Sequence, residues 1–294
     1  MKIFKVKGKS ACKAFLLRLR LISHQFPLNP LQLQPRQLPL NFPPQRRRPD
    51  LTRHSREKGS TKASRATKPP QSKPELASSS LDPGILQATL ARYNNNNFCR
   101  WLCKIFGEQR AFQLTATYRI GTSKHWAGAT VFWQIDQYNN IKSGKIMLYN
   151  PHTGKRIKDP FNHITWGHKA LNIQPFHLNQ CLFGEHLFTT DHKKPVAIVE
   201  SEKTAIIASG FIPEYLWLAT ARKGNLNQEK LKPLHQRQVK LYPDLGACEK
   251  WQTISASIPN VTVSTIIEKR ATPADRTQGI DLADYLLDVH NPVL

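Results

Sequence analysis

The chain of 294 residues is long enough for one large domain or two ordinary ones, and its 39% hydrophobic content is low for a fully packed chain. A formal charge of +23, from 43 Lys and Arg against 20 Asp and Glu, points to a polyanionic partner, above all nucleic acid. No stretch approaches the roughly 18 apolar residues needed to cross a bilayer, so no membrane-spanning helix is expected.

The charge is unevenly placed. Residues 1–90 hold 18 Lys and Arg against 4 Asp and Glu, net +14, and the remainder 25 against 16, net +9. Eleven of the 21 prolines precede Gly84, among runs such as Gln45-Arg46-Arg47-Arg48-Pro49 and Ser78-Ser79-Ser80. Such a composition cannot bury enough apolar surface to offset the entropy of ordering, so residues 1–85 read as a disordered basic tail. The apolar run Ala14–Leu17 is cut short by Arg18 and Arg20, too early for a signal-peptide core. Five cysteines (Cys12, Cys99, Cys103, Cys181 and Cys248) make no disulfide framework and suit a reducing compartment, which gives a cytoplasmic expectation.

Residues 86–190 read as a small α+β subdomain. Ile85–Leu90 is helical, and Phe98, Leu102, Ile105 and Phe106 fall on one face of a helix that Gly107 stops. Cys99 and Cys103 would share a face of it. Core thiols are favoured over a zinc pair, because no second pair follows at finger spacing. Ala129–Asp136 and Gly144–Tyr149 are β-branched and aromatic strands around a turn at Gln137–Asn140, with Asn150–Gly154 closing the unit. The segment Asn150 to Arg156 fails as a phosphate-binding loop, since Tyr149 stands where Gly is required and Arg156 where Ser or Thr should be.

Residues 191–290 alternate strand and helix. Strands are expected at Val196–Val199, Leu216–Ala219, Val239–Tyr242 and Val261–Ile267. The intervening helices are Thr204–Ser209, Glu229–Leu234 and Ala247–Ile258, with Leu282–Leu287 closing. That alternation predicts a parallel sheet flanked by helices. Ligands bind such sheets at the carboxyl ends of their strands. Glu200 follows the first strand, Asp244 the third, and Asp281 and Asp284 stand before the last helix. Convergent carboxylates are the hard oxygen ligands Mg²⁺ prefers for phosphodiester chemistry. The competing reading is that each acid only complements a helix N-terminus.

The order apolar strand–Glu200, apolar strand–Asp244, then Asp281-Leu282-Ala283-Asp284 resembles the Toprim domain of bacterial primases and topoisomerases. Upstream, Tyr118–Lys124, Gly144–Arg156 and Cys181–Leu187 are similar to the subdomain and link that precede Toprim in primase catalytic cores. The stretch from about 98 to 290 also resembles an uncharacterised group of primase-like proteins carried on Bacteroidetes mobile elements. The resemblance implies a Toprim-like fold and a primase-like nucleotidyltransferase on single-stranded DNA and nucleotides, serving replication or mobilisation of a mobile element, with a separate helicase as a further partner. It implies Glu200 as general acid or base, with Mg²⁺ or Mn²⁺ held by Asp244 and its neighbours. Two departures stand out. The second acid of the family's Asp-x-Asp pair is Gly246, and Ser201 replaces the Gly that follows the Glu. Asp281, Asp284, Glu249 and Glu202 are the candidates to replace the missing ligand. A zinc finger ahead of the core is absent. Arg119, Lys124, Lys145, Lys155 and Arg156, with Lys203 after the Glu, are the expected nucleic-acid contacts, and Trp126 and Trp133 are available to stack bases. Solvated charges beside core tryptophans are the bland alternative. A Toprim nuclease, or a DNA-binding module without chemistry, are the competing functions.

Overall fold

The computed structural model describes residues 78–222 and 224–290, the side chains of Val289 and His290 excepted. The expected tail lies outside the described residues as far as residue 77. The expected boundary at residue 86 falls inside helix α1 (Pro83–Thr89), which begins early for local reasons. Asp82 caps it through Gly84 N–H and Pro83 occupies the first turn. Just before it, buried Leu81 bridges Ile141.

Asn96 ties the next helix to the first sheet. It is fully buried, and its Oδ1 accepts from Phe98 N–H, Cys99 N–H and Thr130 Oγ1 at 3.1, 3.2 and 2.7 Å. Its Nδ2 donates to Gly121 O at 3.0 Å. Helix α2 (Asn97–Thr117) therefore starts on a capped end that is also a sheet anchor. Gly107, expected as a stop, is instead a kink at φ 73°, and the helix resumes to bury Ala111 and Leu114.

Strands β1 (Gly121–Thr122), β2 (Thr130–Ile135), β3 (Ile141–Met147) and β4 (Ile164–Trp166) form an antiparallel sheet in that order. Helix α3 (Gly167–Ala170) follows. Cross-strand partners include Val131 with Ile146 and Phe132 with Lys145. Side chains alternate along each strand, so the sheet has two distinct faces. Val131, Trp133, Ile135 and Ile146 join Leu81 and Leu86 in an outer core. Phe132 faces the other way, 5.3 Å from the Phe98 ring and 5.9 Å from that of Phe183. Gly144 is needed beneath Trp133, because a Cβ there would come within 2.6 Å of the indole.

The second sheet has the order β6-β5-β7-β8 and all pairs are parallel, as the alternation predicted. Its strands are β5 (Val196–Val199), β6 (Leu216–Ala219), β7 (Val239–Leu241) and β8 (Val261–Val263). β5 and β6 are buried along their whole length, which is why they read as unbroken apolar runs. Helices α4 (Glu202–Phe211), α5 (Gln228–Leu231), α6 (Cys248–Ser255), α7 (Ile266–Arg270), α8 (Pro273–Gln278) and α9 (Leu282–His290) complete the chain. α4 packs against β6, α2 and α9; a Cβ on Gly210 would meet the Phe106 ring at 2.4 Å, so the glycine permits the α2 approach.

Two expectations are corrected. The strand expected through Ile267 ends at Val263, and Ile266 opens α7. Helix α8, closed at its start by a Thr272–Asp275 capping box, was not expected. The halves are joined by named bonds: Tyr118 Oη donates to Trp217 O at 2.9 Å, and Phe183 bridges Ala219 at the edge of β6. Among the described residues, no helix is long and apolar enough to cross a membrane.

Candidate functional site

The carboxyl edge of the parallel sheet faces the inner side of the antiparallel sheet. Glu200 follows β5, one of the two central strands, and is only 3% exposed. Its carbonyl accepts from Thr220 Oγ1 at the end of β6. Ser201 caps α4 through Thr204 N–H at 3.1 Å, which is what a serine offers here in place of the expected glycine.

Lys145 closes the cleft from the other sheet. Its Nζ lies 3.1 Å from Glu202 Oε2 and 2.5 Å from Ala221 O, and the paired side chains are 13% and 2% exposed. Glu202 Oε1 is buried, and none of the described residues donates a hydrogen bond to it. Lys145, expected as a nucleic-acid contact, is thus turned inward onto a carboxylate. One residue further, Lys203 lies 5.0 Å over the Trp101 ring, a cation–π contact that holds the ammonium at the head of α4.

Asp281 and Asp284 form a reciprocal cap on α9. Asp281 Oδ1 accepts from Asp284 N–H at 3.0 Å, and Asp284 Oδ2 accepts from Asp281 N–H at 3.2 Å. This is the capping-box arrangement with two aspartates. Asp281 Oδ2 also accepts from Thr204 Oγ1 at 2.7 Å, so it ties α9 to α4. The Asp284 carboxyl is held above its usual range by partial desolvation, and then by the Asp281 charge; Lys203 and Lys155 oppose the rise.

Asp244 is half-buried after β7, and its carbonyl accepts from Ala247 N–H. Gly246 is exposed at φ +77°, a left-handed conformation that disfavours any side chain. Its N–H donates to Glu268 Oε1 at 2.6 Å, and Arg276 holds Glu268 Oε2 at 2.9 Å. The Gly246 N–H, ahead of Arg276, keeps the Glu268 carboxyl below its usual range. Glu268 was not singled out in the sequence, because Val261–Ile267 read as strand and no helix was expected to aim it at this loop.

The remaining basic candidates divide. Lys155 and Arg156 are exposed on the loop after β3, with Arg156 bridging Tyr149. Lys155 acts on Asp284 and Arg156 on Tyr149, as does Glu202, so this loop belongs to the same charged neighbourhood. Arg119 is half-buried beside His186, and burial lowers its pKa. Lys124 lies on the opposite, outer face of the antiparallel sheet with Trp126 and Trp133.

These carboxylates do not gather into one ligand set. Among the described residues, no group of three or more His, Cys, Asp or Glu side chains stands close enough to hold a metal ion. Both Asp281 oxygens are occupied by hydrogen bonds, and Glu202 Oε2 is committed to Lys145. A Mg²⁺ or Mn²⁺ ion at this edge would be met by one or two carboxylates, with water and phosphate completing its shell. The arrangement provides a buried carboxylate at a strand end, with positive side chains set against the neighbouring Glu202 and Asp284.

A family model for a domain of unknown function, DUF6371, matches residues 96–245. The chain belongs to this family. The DUF6371 match runs from the Asn96 cap to one residue beyond Asp244, so it spans Glu200 and stops short of Asp281 and Asp284. No curated protein matches the chain. Among solved structures, it is similar to the primase fragment of the bacteriophage T7 primase-helicase protein, with 18% identity over 76% of this chain and 80% of that one and a TM-score of 0.44. It is also similar to the Escherichia coli primase catalytic core, with 11% identity over 71% and 82% and a TM-score of 0.42. The DnaG primase catalytic domain bound to single-stranded DNA is similar at 10% identity over 71% and 81%, again with a TM-score of 0.42.

Proposed function

We propose that this DUF6371 protein is a primase-like nucleotidyltransferase acting on single-stranded DNA, with Glu200 as its working acid or base. The observation that carries the reading is the placement of Glu200, 3% exposed, at the carboxyl end of a buried parallel strand. The carboxyl ends of the strands are where open parallel sheets bind their ligands, so the side chain stands at the edge such folds use for chemistry. The strand-end order of Glu200 and Asp244, which resembles Toprim, supports the same reading. Lys155, Arg156 and Lys203 offer cations to the phosphates of a strand or a nucleotide. A Mg²⁺ or Mn²⁺ requirement, service to a mobile element and work beside a separate helicase belong to this proposal.

Template-dependent incorporation of labelled nucleotides on single-stranded DNA tests it, with and without divalent metal. Product that needs both template and metal supports the reading. A second reading, a single-strand-binding module without chemistry of its own, is favoured by Gly246, whose left-handed backbone stands where a second metal ligand was expected. Single-strand binding with no product under any metal would select it.

A further inference from the structure

The outer face of the antiparallel sheet carries a cavity that the carboxylate cleft does not use. Register separates the two. Phe132 and Lys145 are partners, and Lys145 points at Glu202; Val131 and Ile146 are the adjacent pair and point the opposite way. On that side a cavity of about 1040 Å³ opens between α1, the turn at 92–97 and the loop at 122–128. Small-molecule pockets range over roughly 300–1,000 Å³, so this one has room for a ligand of that class.

The floor is apolar and held in place. Val131, Ile146 and Trp133 form it, and Trp133 Nε1 is fixed to Thr89 Oγ1 at 3.0 Å. Half-buried Trp126 forms a wall. Its ring stands 4.5 Å from His125 and 5.2 Å from His163, and Phe161, 53% exposed, stacks on His163 at 4.3 Å. The rim is cationic: Arg92, Arg100 and Lys124 are all exposed, and no Asp or Glu is among the described residues that line the cavity. Cations without local counter-charge call for an anion, and a tryptophan wall over an aliphatic floor calls for a flat apolar body. Inorganic phosphate would leave the tryptophan wall unused, and an uncharged apolar ligand would leave the rim unpaired.

We propose that this cavity is a nucleotide site, with the base against Trp126 and the Val131–Ile146 floor and the phosphates at Arg92, Arg100 and Lys124. The site lies on the opposite sheet face from the Glu202–Lys145 pair and goes beyond the proposed function. The same chemistry comes from a free nucleotide or from one nucleotide of a strand, and the two sources are separable.

The test is equilibrium binding of labelled ATP, and separately of a labelled twelve-residue oligothymidylate, to the full chain in the presence of EDTA. The variants below lie on the outer sheet face, away from Glu200, Lys155, Arg156 and Lys203, so the two readings fail separately. The expected result is ATP binding that weakens by roughly tenfold or more in the double variant Arg92→Glu, Arg100→Glu and also in Trp126→Ala, with thermal melting confirming that both fold. Oligonucleotide binding alone, lost in the same variants, supports the site and assigns it to a strand. No binding of either probe, or equal binding by wild type and a folded variant, overturns the proposal. Should Trp126→Ala fail to fold, the exposed arginine pair decides alone.

Discussion

Lys145 on β3 and Glu202 at the start of α4 meet at 3.1 Å across the interface of the two sheets, with almost no solvent around either. The pair fixes one wall of the cleft beside Glu200 and orients the first turn of α4. Breaking a buried pair by removing one partner leaves a desolvated charge behind. Lys145→Met is therefore expected to lower stability by about 3–5 kcal/mol in denaturant unfolding. Lys145→Met with Glu202→Gln should recover most of that loss, because the stranded charge is gone.

Asp281 separates a structural from a chemical role. Asp281→Ala removes the α9 cap and the Thr204 bond together and should cost about 1–2 kcal/mol in thermal or denaturant unfolding. Asp281→Asn keeps an acceptor and should cost less. If Asp281→Asn leaves stability near wild type yet abolishes nucleotide incorporation, the aspartate works in the reaction as well as in the cap.

Gly246→Asp restores the acid that the Toprim-like pattern expects, against the local backbone. A side chain at φ +77° is strained, and the new carboxylate stands beside Glu268, which already accepts from the Gly246 N–H. The variant is expected to lose about 1–2 kcal/mol at pH 7. Less should be lost near pH 3, below the usual carboxylate range, where protonation relieves the repulsion between the two carboxyls. Urea unfolding at the two pH values measures both.

His186 sets an acid dependence of the fold. Burial, reinforced by the Arg119 charge, pushes its imidazole down from 6.5 to about 4 in the folded chain. The unfolded chain then binds the proton first, so this residue removes stability as pH falls from about 6.5 towards 4 and contributes nothing to the slope above that window. The depression corresponds to about 3 kcal/mol. His186→Gln should flatten the slope of unfolding free energy between pH 6.5 and 4, with little change at pH 8.

How much of this was readable before the structure depends on the range of the interaction. β5 and β6 were legible because strands buried on both faces must be continuously apolar, and that pattern places Glu200 without further help. The Asp281-x-x-Asp284 spacing was visible as a helix-start signal. The distances between the strand-end acids were not legible, because convergence at one sheet edge is a statement about topology, while ligand distance depends on loops whose paths are not local. Lys145 was read as a nucleic-acid contact for the same reason: its partner is 57 residues away, at the start of helix α4. Ile266 and Ile267 carry β-branched side chains into α7, a case in which tertiary packing overrides propensity. Gly107 was read as a stop and is a kink, because whether a glycine ends a helix or bends it depends on what the following turn can bury.

The most direct measurement of the central claim is template-dependent incorporation of labelled nucleotides by the wild-type chain and by Glu200→Gln, with single-strand binding measured on the same preparations. The account predicts product from the wild type, its loss by roughly a hundredfold or more in Glu200→Gln, and equal strand binding by both. Equal product from the two proteins, or none from a wild type that binds the strand, would contradict it.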